Sequence, residues 1–597
     1  MKTFKTFYAS FAFICLGLVP ISAMGQSMPH TFTANSAARS SEMNANFTYL
    51  LERFSGIRET TVNCGNSGTG SGINTAIQNG YNSIVINGIC KENIKLDGSE
   101  ENIPRLLKLR GANNDASQDK IIDNSSYTEH VLTFSHAGGL LVTIDNLTIS
   151  GGDRGITTWM NVNLLIRNSK VEGYKNRGIT LQGNSVMQGE NLTIDGSYSG
   201  ATTEEQGLRM WGGAVAYIEE NLTITNNQKY GLTMWLSDIE VDGNVTLTGN
   251  GRAINVGKGA NFTSDANITI SGSTDRAIDV NQGLFENWDG TISITNTPGN
   301  TFHAWMSNIK INNLTATGDG STDKALMEFN KSVGSLYSLS ISNSGGDGLQ
   351  FYNSDIAIDN LTSSNNKGNG LDAGMSRIQI KNSVISGNED DGIDLEQASS
   401  LELRSSTISS NLDNGLDVVG NSYILVRDST ISNNSDEAIQ FEEGSLLDIQ
   451  DSTITGVSGK QAILGDNKVL LMISEDSGTT LISTTNANAI YLSNSLGEIR
   501  DGVTVTSDTT GIGLSMNSSL RIEEGATVNG SSNGGSIVGS VRSTINIETG
   551  STISSPIWCG EAGTTMVRAG NQDPDNASNY IFNAGTTVGN TCIKIAR

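Results

Sequence analysis

Proline is scarce in this chain: 6 residues in 597, against 68 glycines. Proline interrupts strand ladders, so its rarity beside abundant glycine suits many tight turns between strands that must stay unbroken. Positive charge is also short. Lys and Arg number 37 against 62 Asp and Glu, a net charge of -25. Such a balance keeps a large surface soluble and excludes nucleic acid as a natural partner. Binding to acidic polysaccharides would need a divalent cation or a local basic patch. Histidine appears only 4 times, which leaves few ordinary general bases for catalysis. After the N-terminal stretch no segment reaches 18 consecutive apolar residues, so no spanning helix is expected.

The N-terminus reads as a secretory signal. Lys2 and Lys5 precede an apolar run from Phe7 to Val19, and Ala23, Met24 and Gly25 close it, so cleavage is expected after Gly25. Residues 1–25 are then signal peptide, removing Cys15, and the mature protein is expected to be secreted, outside the cell or at its surface. Residues 26–59 form a polar leader and an amphipathic helix. Met43, Phe47, Leu50, Leu51 and Phe54 fall at helical spacing, suited to covering the first coil of whatever follows, or to holding a partner. Four cysteines remain. Cys64 and Cys90 lie near the start, Cys559 and Cys592 near the end. The economical pairing is Cys64–Cys90 with Cys559–Cys592, among three connectivities. No Cys-x-x-Cys pair or histidine cluster supports a metal instead.

From 60 to 555 one phrase recurs about every 23 residues. A small residue leads an apolar β-branched strand, as at Gly155, Gly178, Gly207, Gly231, Ala253, Ala277, Ala304, Ala325, Gly348, Gly370, Gly392 and Gly415. Each unit holds three short strands and three turns. An Asn precedes the third strand at Asn146, Asn168, Asn191, Asn221, Asn244, Asn267, Asn313, Asn360 and Asn382. A one-residue bend suits left-handed backbone, which Asn tolerates, and stacked amides can bond from coil to coil. Some of these triplets also fit glycosylation acceptors, but their fixed phase in the repeat favours the structural role. Each coil buries five or six apolar side chains, and only neighbours on both sides make that burial sufficient. In Gly231–Trp235, Leu232 and Met234 should face inward, Thr233 and Trp235 outward.

The coil length, the Asn bend before Leu-Thr-Ile, the small-apolar lead and the opening Val62-Asn63-Cys64-Gly65 … Ile86-Asn87-Gly88-Ile89-Cys90 resemble the right-handed parallel β-helix proteins of the pectin-lyase-like superfamily. The resemblance covers roughly 60–555. It implies an all-β solenoid of about 17–20 coils, with a short capping helix and disulfide-stapled ends, 556–597 being the C-terminal cap. Proteins of that superfamily include lyases, hydrolases, epimerases, adhesins and tailspikes, so the fold leaves function open. In its enzymes substrate lies along the first strand of each coil, walled by long third turns. The corresponding positions here present Trp159, Trp211 and Trp235 with Arg177, Arg209, Arg252 and Arg276, the natural set for a polysaccharide or cell-surface glycan. The plainer alternative is that these rings pack on one another and the arginines balance nearby acids. Further on, Asp372, Asp391, Asp394, Glu396 and Asp417 stack as a calcium candidate or as a solvated acidic face. No cofactor is required by the pattern, though Ca2+ is compatible with it. Catalytic residues do not declare themselves, because the Gly-His-Gly motif of the polygalacturonase-like hydrolases is absent. The leading expectation is a noncatalytic surface for glycan or cell-surface binding. The alternatives are a calcium-assisted lyase, epimerase or hydrolase, and a purely structural adhesin.

Overall fold

The computed structural model describes residues 57–97, 105–135, 139–198, 200, 203–531, 534–555, 557–559, 564–569, 583–584 and 591–596. The chain is an all-β, right-handed parallel β-solenoid of about 21 turns with almost no helix. That exceeds the expected range because coils at both ends lack the repeating phrase: the first strands are Ile94–Asp97 and His130–Ser135, and the last Ile557–Cys559 and Asn583–Ala584. The signal peptide and the helix expected over 40–54 lie outside the described residues. The helix described is Ile73–Gln78, with Ile73, Ala76 and Ile77 buried. Cys64 and Cys90 are bridged, with Cα atoms 5.1 Å apart. Cys559 is placed beside Gly539 in one sheet and Cys592 beside Thr565 in the other; their side chains lie outside the description.

Two compact units divide the chain, the first running to Thr223 with Val241–Gly243 and the second comprising the remainder from Ile224. In the first, Arg154–Trp159 pairs in register with Arg177–Gln182, and that strand with Gln206–Trp211. The lead glycines Gly155, Gly178 and Gly207 therefore stack. They must be small: a Cβ on Gly178 would stand 2.8 Å from the Gly207 carbonyl oxygen. In the second unit the register continues from Tyr230–Trp235 through Arg252–Gly257 and onward. Leu232 and Met234 are buried as expected, and so is Thr233, which accepts a hydrogen bond from Asn255 Nδ2. The interior carries a run of rings, Phe262, Phe285, Phe302, Phe329 and Phe351, each 4.8–5.6 Å from the next.

The bend before the third strand is left-handed at Asn146, Asn168, Asn191, Asn360 and Asn382, and also at Ser338, Ser405, Asp428 and Asp451. Asn221, Asn244 and Asn267 depart from the expectation because their turns span three residues between strands, so no single residue must make the corner. Asn313 lies within the unbroken strand Asn308–Thr317. Asn191 Nδ2 donates to Asn168 and Asn221 Nδ2 to Asn191, so coil-to-coil amide bonding does occur at this corner. A second ladder, buried at the following turn, was not anticipated. Asn366, Asn388 and Asn411 each donate through Nδ2 to the next, ending on Asn434, at 2.9 Å per step. Serines form a third, the backbone N–H of Ser354, Ser376, Ser399 and Ser422 each donating to the hydroxyl one coil on.

Candidate functional site

Strict register turns the outward face of the first unit into a grid. One row reads His130, Arg154, Arg177, Gln206; the next reads Thr133, Thr157, Thr180, Arg209. A third begins Ser135, Trp159. Because Thr158 pairs with Leu181, Trp159 stands beside Gln182, which in turn pairs with Trp211. Neighbouring rungs are about 4.8 Å apart, so the two indoles are separated by about 10 Å along the row. Trp159 is 41% exposed and Trp211 43%. Trp211 donates Nε1–H to Gln182, and the Arg209 guanidinium lies 5.7 Å from its ring centre. Thr157 and Thr180 are wholly buried although they face outward, because neighbouring side chains cover them; His130 Nδ1 is 2.9 Å from the Thr157 hydroxyl. The third turns lead directly into the first row, and two of them meet where Tyr127 stacks on Tyr198 at 4.3 Å.

The electrostatics of this face are cationic. Burial holds the Arg177 guanidinium down to about 10, and the charges of Arg154 and Arg209 add to the effect. Arg154 and Arg209 are lowered for the same first reason. His130 is also lowered, by burial and then by Arg154. His136 lies outside the described residues.

The second unit places the remaining aromatic and basic candidates differently. Trp235 ends its strand half-buried, its indole lying across Gly257, where a Cβ would stand 2.7 Å from the ring. Arg252 and Arg276 are engaged: Arg252 Nη1 lies 2.5 Å and Arg276 Nη1 3.1 Å from the carboxylate of Asp279, and Arg252 Nε also reaches Asp275 at 2.6 Å. His303, one rung along, brings Nδ1 within 2.7 Å of Asp279 and 3.0 Å of Arg276. Burial alone would raise the Asp279 carboxyl, but the His303 contact and the two arginines bring it below its ordinary value. Sequence reasoning passed over Asp279; its signal is the Asp279–His303 rung together with Arg276 three residues earlier.

Asp372, Asp394 and Asp417 occupy three successive rungs of one row, and Glu396 stands beside Gly374 in the next. Burial, compounded by neighbouring carboxylates, raises Asp394 to about 8, Asp391 to about 7 and Asp417 to about 6. Asp391 lies in the turn before the strand, where one of its oxygens and one each from Asp390 and Asp413 fall within 4.8 Å of one another. That oxygen-only spacing suits a hard cation such as Ca2+. Of the five acids expected to share an ion, Asp391 alone belongs to this group.

Residues 327–485 match the family model described as "Right handed beta helix region". No curated protein matches. Among solved structures the chain is similar to the A-module of the Azotobacter vinelandii mannuronan C-5 epimerase AlgE6, at 14% identity and a TM-score of 0.20, over 70% of this chain and 91% of that one.

Proposed function

We propose that this is a secreted β-helix protein that holds a glycan chain against the aromatic row of its first unit. The carrying observation is the pair of exposed indoles, Trp159 and Trp211, held in one row two rungs apart on a rigid sheet. Indoles stack on the apolar faces of sugar rings, and their spacing along the row suits an extended oligosaccharide running with the coils. Sheet-borne side chains need little ordering on binding, which favours a surface that grips without closing. The purified chain should retain oligosaccharides in affinity electrophoresis or calorimetry. Trp159→Ala and Trp211→Ala should each weaken binding about tenfold, or about 1.4 kcal/mol. Unchanged affinity in both variants would remove the row from the site, leaving the purely structural adhesin.

One observation favours a second reading, acid–base chemistry on an acidic polysaccharide assisted by Ca2+. Asp279 meets His303 at Nδ1, which leaves Nε2 as the nitrogen free to take a proton, the pairing that orients a general-base imidazole. Incubation with acidic polysaccharides, with and without Ca2+, tests it through the absorbance of unsaturated products and the proton spectrum of the sugar. A His303→Ala protein as active as the parent would reject it.

A further inference from the structure

The grid of the first unit runs against the charge of the molecule. In a chain of net charge -25 it sets three arginines on neighbouring rungs. Arg154 and Arg177 face each other in register, about 4.8 Å apart. Like charges at that separation repel, and partial burial makes water a poor screen. Their counter-ions do not compensate. Asp153 stands 3.6 Å from Arg154 Nε, while its other carboxylate oxygen accepts from the Asn176 amide. Glu204 acts on Arg177 only through its field, and Arg177 makes no ion pair among the described residues.

The same patch concentrates unmet hydrogen-bonding groups. Arg154 Nε and Arg177 Nε are buried and donate to nothing; Thr180 Oγ1 and Gln206 Oε1 are buried without a partner. Buried polar groups are normally satisfied, and each exception costs stability. Two of the four belong to half-buried cations on adjacent rungs, Arg154 and Arg177, whose charges lie side by side short of acceptors, and the complement of that pair is a ligand with concentrated negative charge. A carboxylate has two oxygens and one charge, enough for a single guanidinium fork. A tetrahedral oxyanion has three free oxygens when esterified and can accept from forks on two rungs at once.

We propose that Arg154 and Arg177 form a binding site for a tetrahedral oxyanion, the sulfate or phosphate ester of the glycan that lies on the Trp159–Trp211 row. The inference rests on the glycan reading above and adds the substituent that the glycan carries. The site also supplies the local basic patch without which so acidic a protein would repel an anionic polymer.

Calorimetry on the full chain at constant ionic strength tests this with five probes: inorganic sulfate, inorganic phosphate, a sulfated oligosaccharide, a phosphorylated one, and their common unesterified backbone. An esterified oligosaccharide should bind at least about tenfold more tightly than the bare backbone, and the sulfated and phosphorylated arms identify which ester. Arg177→Gln should abolish that preference, while Trp159→Ala weakens esterified and bare forms alike and preserves it. The melting temperature of Arg177→Gln should match or exceed that of the parent, since the change relieves repulsion, which separates lost binding from lost folding. Equal affinity for esterified and bare oligosaccharides overturns the proposal, as does an undiminished preference in Arg177→Gln. Binding of inorganic sulfate or phosphate that depends on Arg177, with no oligosaccharide bound, keeps the anion site and sinks the glycan reading instead.

Discussion

At the scale of single residues, the coils are held in phase by polar side chains that never reach water. Asn411 shows the economy of the device. Its Oδ1 accepts from both the backbone N–H and the Nδ2 of Asn388, and its own Nδ2 donates to Asn434. Asn411→Ala leaves two buried donors of Asn388 and one acceptor of Asn434 without that partner. The expected cost is about 2–4 kcal/mol, measured as a lower urea midpoint. Asn388→Ala should cost a similar amount, and the double variant less than the sum, because the two share one bond. A different residue-scale feature works against stability. The position following most strands of the sheet that carries Arg154–Trp159 is left-handed, yet Leu236, Met306, Met375 and Met516 occupy it with their side chains exposed. An L-residue there costs about 1–2 kcal/mol that glycine avoids. Met375→Gly should therefore stabilise the protein, by about 1 kcal/mol after the entropy glycine loses, read as a rise in melting temperature. If Met375→Gly lowers it, the methionine is packing on something that its exposure conceals.

At the scale of the element, stacked strands convert sequence identity into charge density. Asp372, Asp394 and Asp417 are each half-buried, and register places them in a column. Their folded-state affinities for protons exceed the unfolded ones, so the folded chain binds more protons through the intervening range. Stability is then complete below the ordinary carboxylate value near 3.8 and declines as the pH rises toward about 8, the raised value of Asp394. The second unit should melt at a higher temperature at pH 5 than at pH 8. Asp394→Asn should flatten that slope and stabilise the protein at pH 8, on the order of 2 kcal/mol, below the full linkage value because the groups stay partly solvated. Calcium at millimolar concentration should raise the melting temperature more at pH 8 than at pH 5 if Asp390, Asp391 and Asp413 hold it, since protons and the cation compete for the same oxygens. A melting temperature flat across this range would mean that the column is relieved by solvent alone.

The same register explains how far the sequence could be read. The leads from Gly155 to Ala277 and from Gly348 to Gly415, the inward Leu232 and Met234, and the acidic column are legible because each depends on the period alone; Ala304 and Ala325 are not leads, since irregular turn lengths put Thr301 and Leu326 in that row. A position equivalent in the repeat is a neighbour in space. What escaped depends on contacts between positions of different phase. Asp279 is joined by Arg276 from its own turn, a contact between positions of different phase, and by His303, its equivalent one rung on, which a lead placed at Ala304 instead of Thr301 puts out of phase. The crowding of Arg154 and Arg177 was half visible: the repeat aligned them, but their unmet Nε groups depend on turn residues that do not repeat. The corners at Asn221, Asn244 and Asn267 were misread because the Asn is retained while two added residues take over its work.

At the scale of the whole molecule, a stack of coils has no single core, and its stability is the sum of what each coil shares with the next. In the second unit that sum is uneven. Between Leu349 and Gln450 every coil carries the buried serine ladder, and most of them the asparagine ladder as well. Beyond Ile537 neither ladder extends among the described residues, and the strand of this sheet falls to two residues at Asn583–Ala584. Opening should begin where each coil has least to lose and stop where the ladders start. Native-state hydrogen exchange read by mass spectrometry should find the slowest amides in the strands from Leu371–Gly374 to Ile439–Phe441, with protection falling steadily toward Ile557–Cys559. Asn411→Ala should lower protection in its own coil and in both neighbours before the melting curve changes shape, because the ladder couples each coil to two others. Uniform protection across 349–559 would mean that the second unit opens as one cooperative block, and that the ladders set register without setting the order of unfolding.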